Sequence, residues 1–140
     1  MKPSPDTVER PVAADQSAAV GRTVAPPLAP AEPAIDLAHL ARMTLGEQRL
    51  ERDVLDLFDQ QAGMLLARMA GEEPRVAAAL AHTLGGSARG VGAWKVAEAA
   101  AGVERAATEP GANALTDAIG RLAAAVAEVR AAIADMLRAV

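Results

Sequence analysis

Apolar residues recur at three- and four-residue steps over four long stretches of the chain, the spacing of one face of an α-helix. From about Glu47 to Ala70 the stripe is Leu50, Val54, Leu57, Phe58, Gln61, Leu65 and Met69, with Glu51, Arg52, Asp56 and Asp59 on the outer face. Gly71 ends this stretch and Glu72-Glu73-Pro74 opens the next. Proline suits a first helical turn, where its missing N–H costs nothing, and carboxylates favour the positive end of a helix. Gly90 or Gly92 stops that second helix, and a third runs from Ala93 to about Thr108 around Val96, Ala97, Ala100 and Val103. After Pro110-Gly111 turns the chain, Leu115, Ile119, Leu122, Val126, Val129, Ile133 and Met136 keep a strict four-three alternation. Ahead of all these, Asp36 is a good N-cap for a short helix from Leu37 to about Met43, with Leu37 and Leu40 facing inward.

Four long amphipathic segments joined by short turns predict an all-α fold, an antiparallel up-and-down four-helix bundle with the short N-terminal helix covering one end. A sustained heptad also suits a coiled-coil dimer, but four segments in one chain satisfy one another's stripes, and a monomer is expected. The bundle domain spans residues 35–140. Residues 1–34 hold seven of the nine prolines and no sustained apolar period. Such a segment has too little large apolar surface to offset its ordering entropy, and reads as a disordered Pro/Ala-rich tail.

Composition narrows the picture. Apolar residues make up 51% of the chain, enough for a core, yet Phe58 and Trp94 are its only aromatics. The core is then built from Ala, Leu, Val, Ile and Met, which favours closely spaced helices over a strand-rich fold. A net charge of -4 with scattered Lys and Arg argues against a nucleic-acid surface, and the missing aromatics remove the stacking platforms that single strands use. Without cysteine there are no disulfides or thiolate metal sites, and two histidines make no metal cluster. The start of the chain lacks a signal peptide's apolar core and no long uncharged apolar run follows, so a cytoplasmic protein without a membrane segment is expected.

One histidine stands out by its frame. At about 100° per residue, Arg75, Ala78, Ala79, Gly85, Gly86 and Arg89 fall on the same side as His82, while Val76, Leu80, Leu84 and Val91 fall opposite. The imidazole therefore points away from the core, between small residues that leave it open to a second macromolecule. Glycine inside a helix costs on the order of 1 kcal/mol relative to alanine, so Gly85-Gly86 needs a reason, and close approach of another body supplies one. His39, on the short helix, has no base, nucleophile or second ligand nearby in sequence and reads as a surface or boundary residue. Trp94 either rims a partner surface or caps the bundle end.

The stretch around His82 resembles the site motif of histidine-containing phosphotransfer (HPt) domains of bacterial phosphorelays: His82, Leu84, Gly86, Ser87, Ala88, Gly92 and Ala93 match in order. Gly85 departs from it, standing where the family usually carries lysine beside the phosphate. A weaker likeness extends from about Ile35 to the C-terminus and includes Val96-Ala97 and Val103-Glu104.

An exposed imidazole with an ordinary pKa near 6.5 has a free lone pair at neutral pH and can attack a phosphoryl group. The sequence offers no nucleotide-binding glycine loop, no metal-ligand cluster and no acid/base pair, so no ATP-dependent kinase activity of its own is expected. The resemblance implies that His82 is the phosphorylated nucleophile, taking phosphate from a receiver-domain aspartyl phosphate and passing it to another receiver. It implies response-regulator receiver domains, or a hybrid histidine kinase, as partners. No cofactor or metal is expected on this chain, with Mg2+ held by the receiver. Gly86 then serves access, Arg89 contacts phosphate or receiver, Gly85, Ala78, Ala79 and Arg75 complete the docking face, and Ser87 is a motif residue pointing sideways or inward. Two other readings are a degenerate module that sequesters a receiver without carrying phosphate, which Gly85 favours, and a purely structural helical adaptor, which leaves His82 unexplained.

Overall fold

The helical periods become five helices in a computed structural model that describes residues 32–139: α1 (Leu37–Met43), α2 (Gln48–Met69), α3 (Pro74–Val91), α4 (Trp94–Ala106) and α5 (Ala112–Arg138). Among the described residues the protein is all-α. The expected disordered tail lies, up to residue 31, outside the described residues. Each boundary falls within two residues of where the spacing puts it, because the punctuation is chemical. Pro74 opens α3 behind Glu73, and the Asp36 carboxylate caps α1 by accepting the His39 backbone N–H at 3.1 Å.

α2 packs on α3, α3 on α4 and α4 on α5, and α5 returns to α2, while α1 lies against α3. Cross-helix pairs give the directions. Arg52 near the start of α2 donates to the Leu137 carbonyl at the end of α5 (3.1 Å), and Arg130 pairs with Asp59 at 2.8 Å. Lys95 at the start of α4 reaches Glu128 in the second half of α5 at 3.1 Å. Met69, Leu84, Val96, Val103, Leu122 and Ile133 are fully buried between these helices, and removing such side chains from water stabilises the fold by about 1.5–3 kcal/mol each.

Gly92 joins α1 to the site helix. Its φ of +83° closes the end of α3, the conformation glycine adopts without a Cβ clash. The same missing Cβ lets the Asp36 backbone approach: a Cβ here would stand 3.0 Å from the Asp36 carbonyl oxygen. The Asp36 N–H donates to the Gly92 carbonyl and the Trp94 indole donates to the Asp36 carboxylate, both at 2.9 Å. Trp94 therefore caps the bundle end, the second of its two sequence readings. Its hydrogen bond, with that from His39, holds the Asp36 carboxyl below its ordinary range.

The periodicity misassigns some faces. Leu37, expected inward, is 60% exposed, and only Leu40 anchors α1. On α2 the core residues are Leu55, Phe58, Ala62, Leu65 and Met69, whereas Leu50 and Leu57, expected in the stripe, are exposed. A helix with apolar residues over more than one face can bury only the part its neighbours cover. Arg52 and Asp59, expected on the outer face, instead bridge to α5, where Arg130 lies across the bare backbone of Gly63.

Candidate functional site

α3 presents His82 because its apolar side is fully committed. Leu80, Ala81, Leu84, Ala88 and Val91 are buried, which leaves His82 on the opposite side with 72% of its side chain exposed. Among the described residues the ring has one hydrogen-bond partner. Its Nδ1 lies 3.1 Å from Oε1 of Glu104 on α4. A carboxylate only accepts, so Nδ1 carries the hydrogen and the lone pair of a neutral ring sits on Nε2. The carboxylate fixes the tautomer, orients the ring and balances positive charge that develops on it when Nε2 attacks an electrophile.

Sequence reasoning missed Glu104. It expects no acid/base pair and an unshielded histidine, and a wheel of α3 alone cannot show a residue 22 positions away on another helix. Glu104 is noted in the sequence only as part of a faint likeness; its step of seven from Ala97 along the α4 stripe is the one signal that puts it beside the α3 seam.

The remaining expected residues separate. Gly86 is exposed and a Cβ on it meets nothing within 4 Å, so it leaves open space one turn from His82. Ala79 is exposed and Ala78 half-buried on the preceding turn. Arg75, two turns away and solvent-exposed, lies 3.7 Å from Glu73. Gly85 is the correction: it is buried, and a Cβ there would stand 3.4 Å from the Ala100 Cβ. It faces α4 rather than an approaching partner, since small residues on both helices bring their backbones together. Arg89 is exposed, and its guanidinium lies back over Gly85.

Ser87, half-buried, turns to the other side of α3. With Gly90 and Val91 it lines an apolar groove completed by Leu40, Met43 and Thr44 around α1 and by Leu50, Val54, Leu57 and Phe58 of α2. The two misassigned leucines of α2 thus belong to one surface with Ser87 and Gly90 of the site helix. The His39 ring meets Trp94 edge-on at 4.9 Å between centroids, and its Nε2 is enclosed without a hydrogen-bond partner among the described residues. Among the described residues no group of three or more His, Cys, Asp or Glu is placed to hold a metal, and no helix is long and apolar enough to cross a membrane.

The described domain offers a carboxylate-held imidazole to solvent, on a helix whose neighbouring face carries an apolar groove. The family of Hpt domains matches residues 53–137, from α2 through α5 with His82 inside, and the chain belongs to this family. The family's chemistry is histidine phosphotransfer in phosphorelays, with receiver domains and histidine kinases as partners. Neither the curated proteins nor the solved structures give a match.

Proposed function

We propose that this chain is a phosphorelay intermediate in which His82 accepts a phosphoryl group from a receiver-domain aspartyl phosphate and hands it to the aspartate of a second receiver. The observation that carries the reading is the exposed His82 ring with Nδ1 held by Glu104 and Nε2 free. Nε2 attacks phosphorus, the P–O bond to the aspartyl carboxylate breaks, and the ring becomes an Nε2-phosphorylated imidazolium whose Nδ1–H stays on Glu104. The reverse sequence with a second aspartate returns the ring to neutral. Because this step needs positioning and charge balance rather than a covalent apparatus, an up-and-down four-helix bundle suffices as scaffold. The receiver brings Mg2+, and the scaffold itself brings no ATP site.

Docking follows from the surface. A receiver that covers His82 rests on Gly86 and Ala79, with Ser87 and Arg75 at its margins, and its apolar residues enter the groove between α1, α2 and α3. The chain works as a cytoplasmic monomer, with residues 1–34 as a spacer ahead of the 35–140 domain. Gly85 is buried beside Ala100, so its departure from the motif weighs less toward a module that sequesters a receiver without carrying phosphate.

Incubation with a phosphorylated receiver and Mg2+ tests the proposal. An acid-labile, base-stable label should appear on the chain and move on to a second, unphosphorylated receiver. Binding without label would establish the sequestering module instead.

A further inference from the structure

The site as described places a carboxylate beside His82 but no cation to meet the phosphoryl group, whose two negative charges arrive next to Glu104. Arg75 lies two turns from His82 against Glu73 at 3.7 Å, and Lys95 is paired with Glu128 at 3.1 Å. Arg89 is different. It has no ion pair among the described residues, and Nη2 and Nη1 of its guanidinium stand 3.7 and 3.8 Å from where a Cβ on Gly85 would be. Helical side chains lean toward the N-terminus, which carries the head of Arg89 one turn back along α3. It comes to rest over the residue three positions after His82, at a point whose side-chain origin is roughly 5–6 Å from that of His82. His82 and Gly85 both face α4, the first at Glu104 and the second at Ala100, so the guanidinium lies along the same seam as the imidazole.

We infer that Arg89 is the phosphate-binding cation of this site and that Gly85 is its seat, the guanidinium resting within van der Waals range of that bare position. The inference rests on the phosphocarrier reading and adds a catalytic residue to it. Arg89 donates N–H bonds to the phosphoryl oxygens as the P–N bond forms, while Glu104 balances the ring on the other side.

The test uses the full chain and phosphoramidate, a small donor that needs no receiver docking: its P–N bond breaks, ammonia leaves, and the phosphoryl group joins Nε2 of His82. Arg89→Ala should slow labelling roughly three- to tenfold, somewhat more than an exposed ion pair alone would give. Arg89→Lys should keep most of the rate, Arg89→Glu should be slower than Arg89→Ala, and raising salt should narrow these gaps. Placing the charge on the seat itself, Gly85→Lys in the Arg89→Ala background, should restore labelling, while Gly85→Lys alone adds little. Equal rates for folded wild type, Arg89→Ala and Arg89→Glu would overturn the inference and leave the phosphocarrier reading intact. A folded Gly85→Lys, Arg89→Ala protein as slow as Arg89→Ala would overturn the shared seat. Wild type that takes no label from either donor would overturn the phosphocarrier reading, and this inference with it.

Discussion

The two histidines of this chain show what a scaffold does to one kind of side chain. His82 stands on the long helix α3 with Nδ1 held by Glu104 and Nε2 in solvent; His39 stands on the short helix α1 with Nε2 enclosed and its ring against Trp94. The first has what a nucleophile needs, a fixed tautomer and an open lone pair. The second has neither, and its surroundings serve to pin α1: the His39 backbone N–H, the Trp94 indole and the Gly92 carbonyl all bond to Asp36, the cap of that helix. Histidine alone therefore marks no site; a carboxylate on one nitrogen and free space at the other do.

The sharpest way to break this contrast is to exchange the outcomes. His82→Gln should abolish labelling by a phosphorylated receiver, and His39→Ala should leave it intact in a protein that still folds. Label that survives the first change, or disappears in a folded protein carrying the second, contradicts the assignment.

Next in size is Glu104. Carboxylates that hold the second nitrogen of a working histidine are worth about ten- to a hundredfold where they have been removed from metal sites, and a loss of that order is expected in transfer rate for Glu104→Ala. Glu104→Gln keeps an acceptor for Nδ1–H and removes the charge, so it should fall between Ala and wild type. Single-turnover rates at saturating receiver separate this effect from docking. Identical rates for all three proteins would mean that the pair seen between α3 and α4 does nothing for the chemistry.

Gly86→Leu sharpens the role of the bare backbone. A Cβ at this exposed position meets nothing within 4 Å, so helix propensity should raise stability by up to about 1 kcal/mol while receiver-dependent labelling drops and phosphoramidate labelling persists. A destabilised variant, or unchanged transfer from the receiver, would show that no partner closes over this turn.

Gly86 and its neighbour Gly85 mark where the sequence was legible and where it was not. Helix starts and stops could be read from Asp36, Pro74, Gly92 and Pro110-Gly111 because each acts through its own backbone, and the buried stripes of α4 and α5 followed from spacing alone. The histidine and Gly86 were readable for the same reason: one helix determines which way they face. Gly85 was not, because its burial depends on Ala100, nor was Glu104, which reaches His82 from another helix. Leu50 and Leu57 were misplaced because an apolar stripe does not say whether a neighbouring helix or an absent partner covers it. Arg52 and Asp59 looked like solvated charges until α5 came alongside them.

The smallest expected effect lies at His39's end of the molecule. The Asp36 carboxyl titrates below its ordinary value of 3.8, chiefly through the Trp94 indole and the His39 backbone N–H. A lowered folded pKa means stability that is present above the unfolded value and lost as pH falls through the folded one. Trp94 emission should therefore change at a pH below about 4, and Asp36→Asn should remove that transition while leaving phosphotransfer at neutral pH nearly unaltered. An emission profile that is flat in wild type down to global unfolding would show that the indole does not sense this carboxylate.

The central claim is that the phosphoryl group rides on Nε2 of His82 because Glu104 occupies Nδ1. Phosphorus NMR on the intact protein, labelled by its receiver, reads the position directly through its coupling to the imidazole ring protons. The account predicts one phosphohistidine, substituted at Nε2 and absent from His82→Gln. A signal from an Nδ1-phosphorylated ring, or one that remains in His82→Gln, would contradict it.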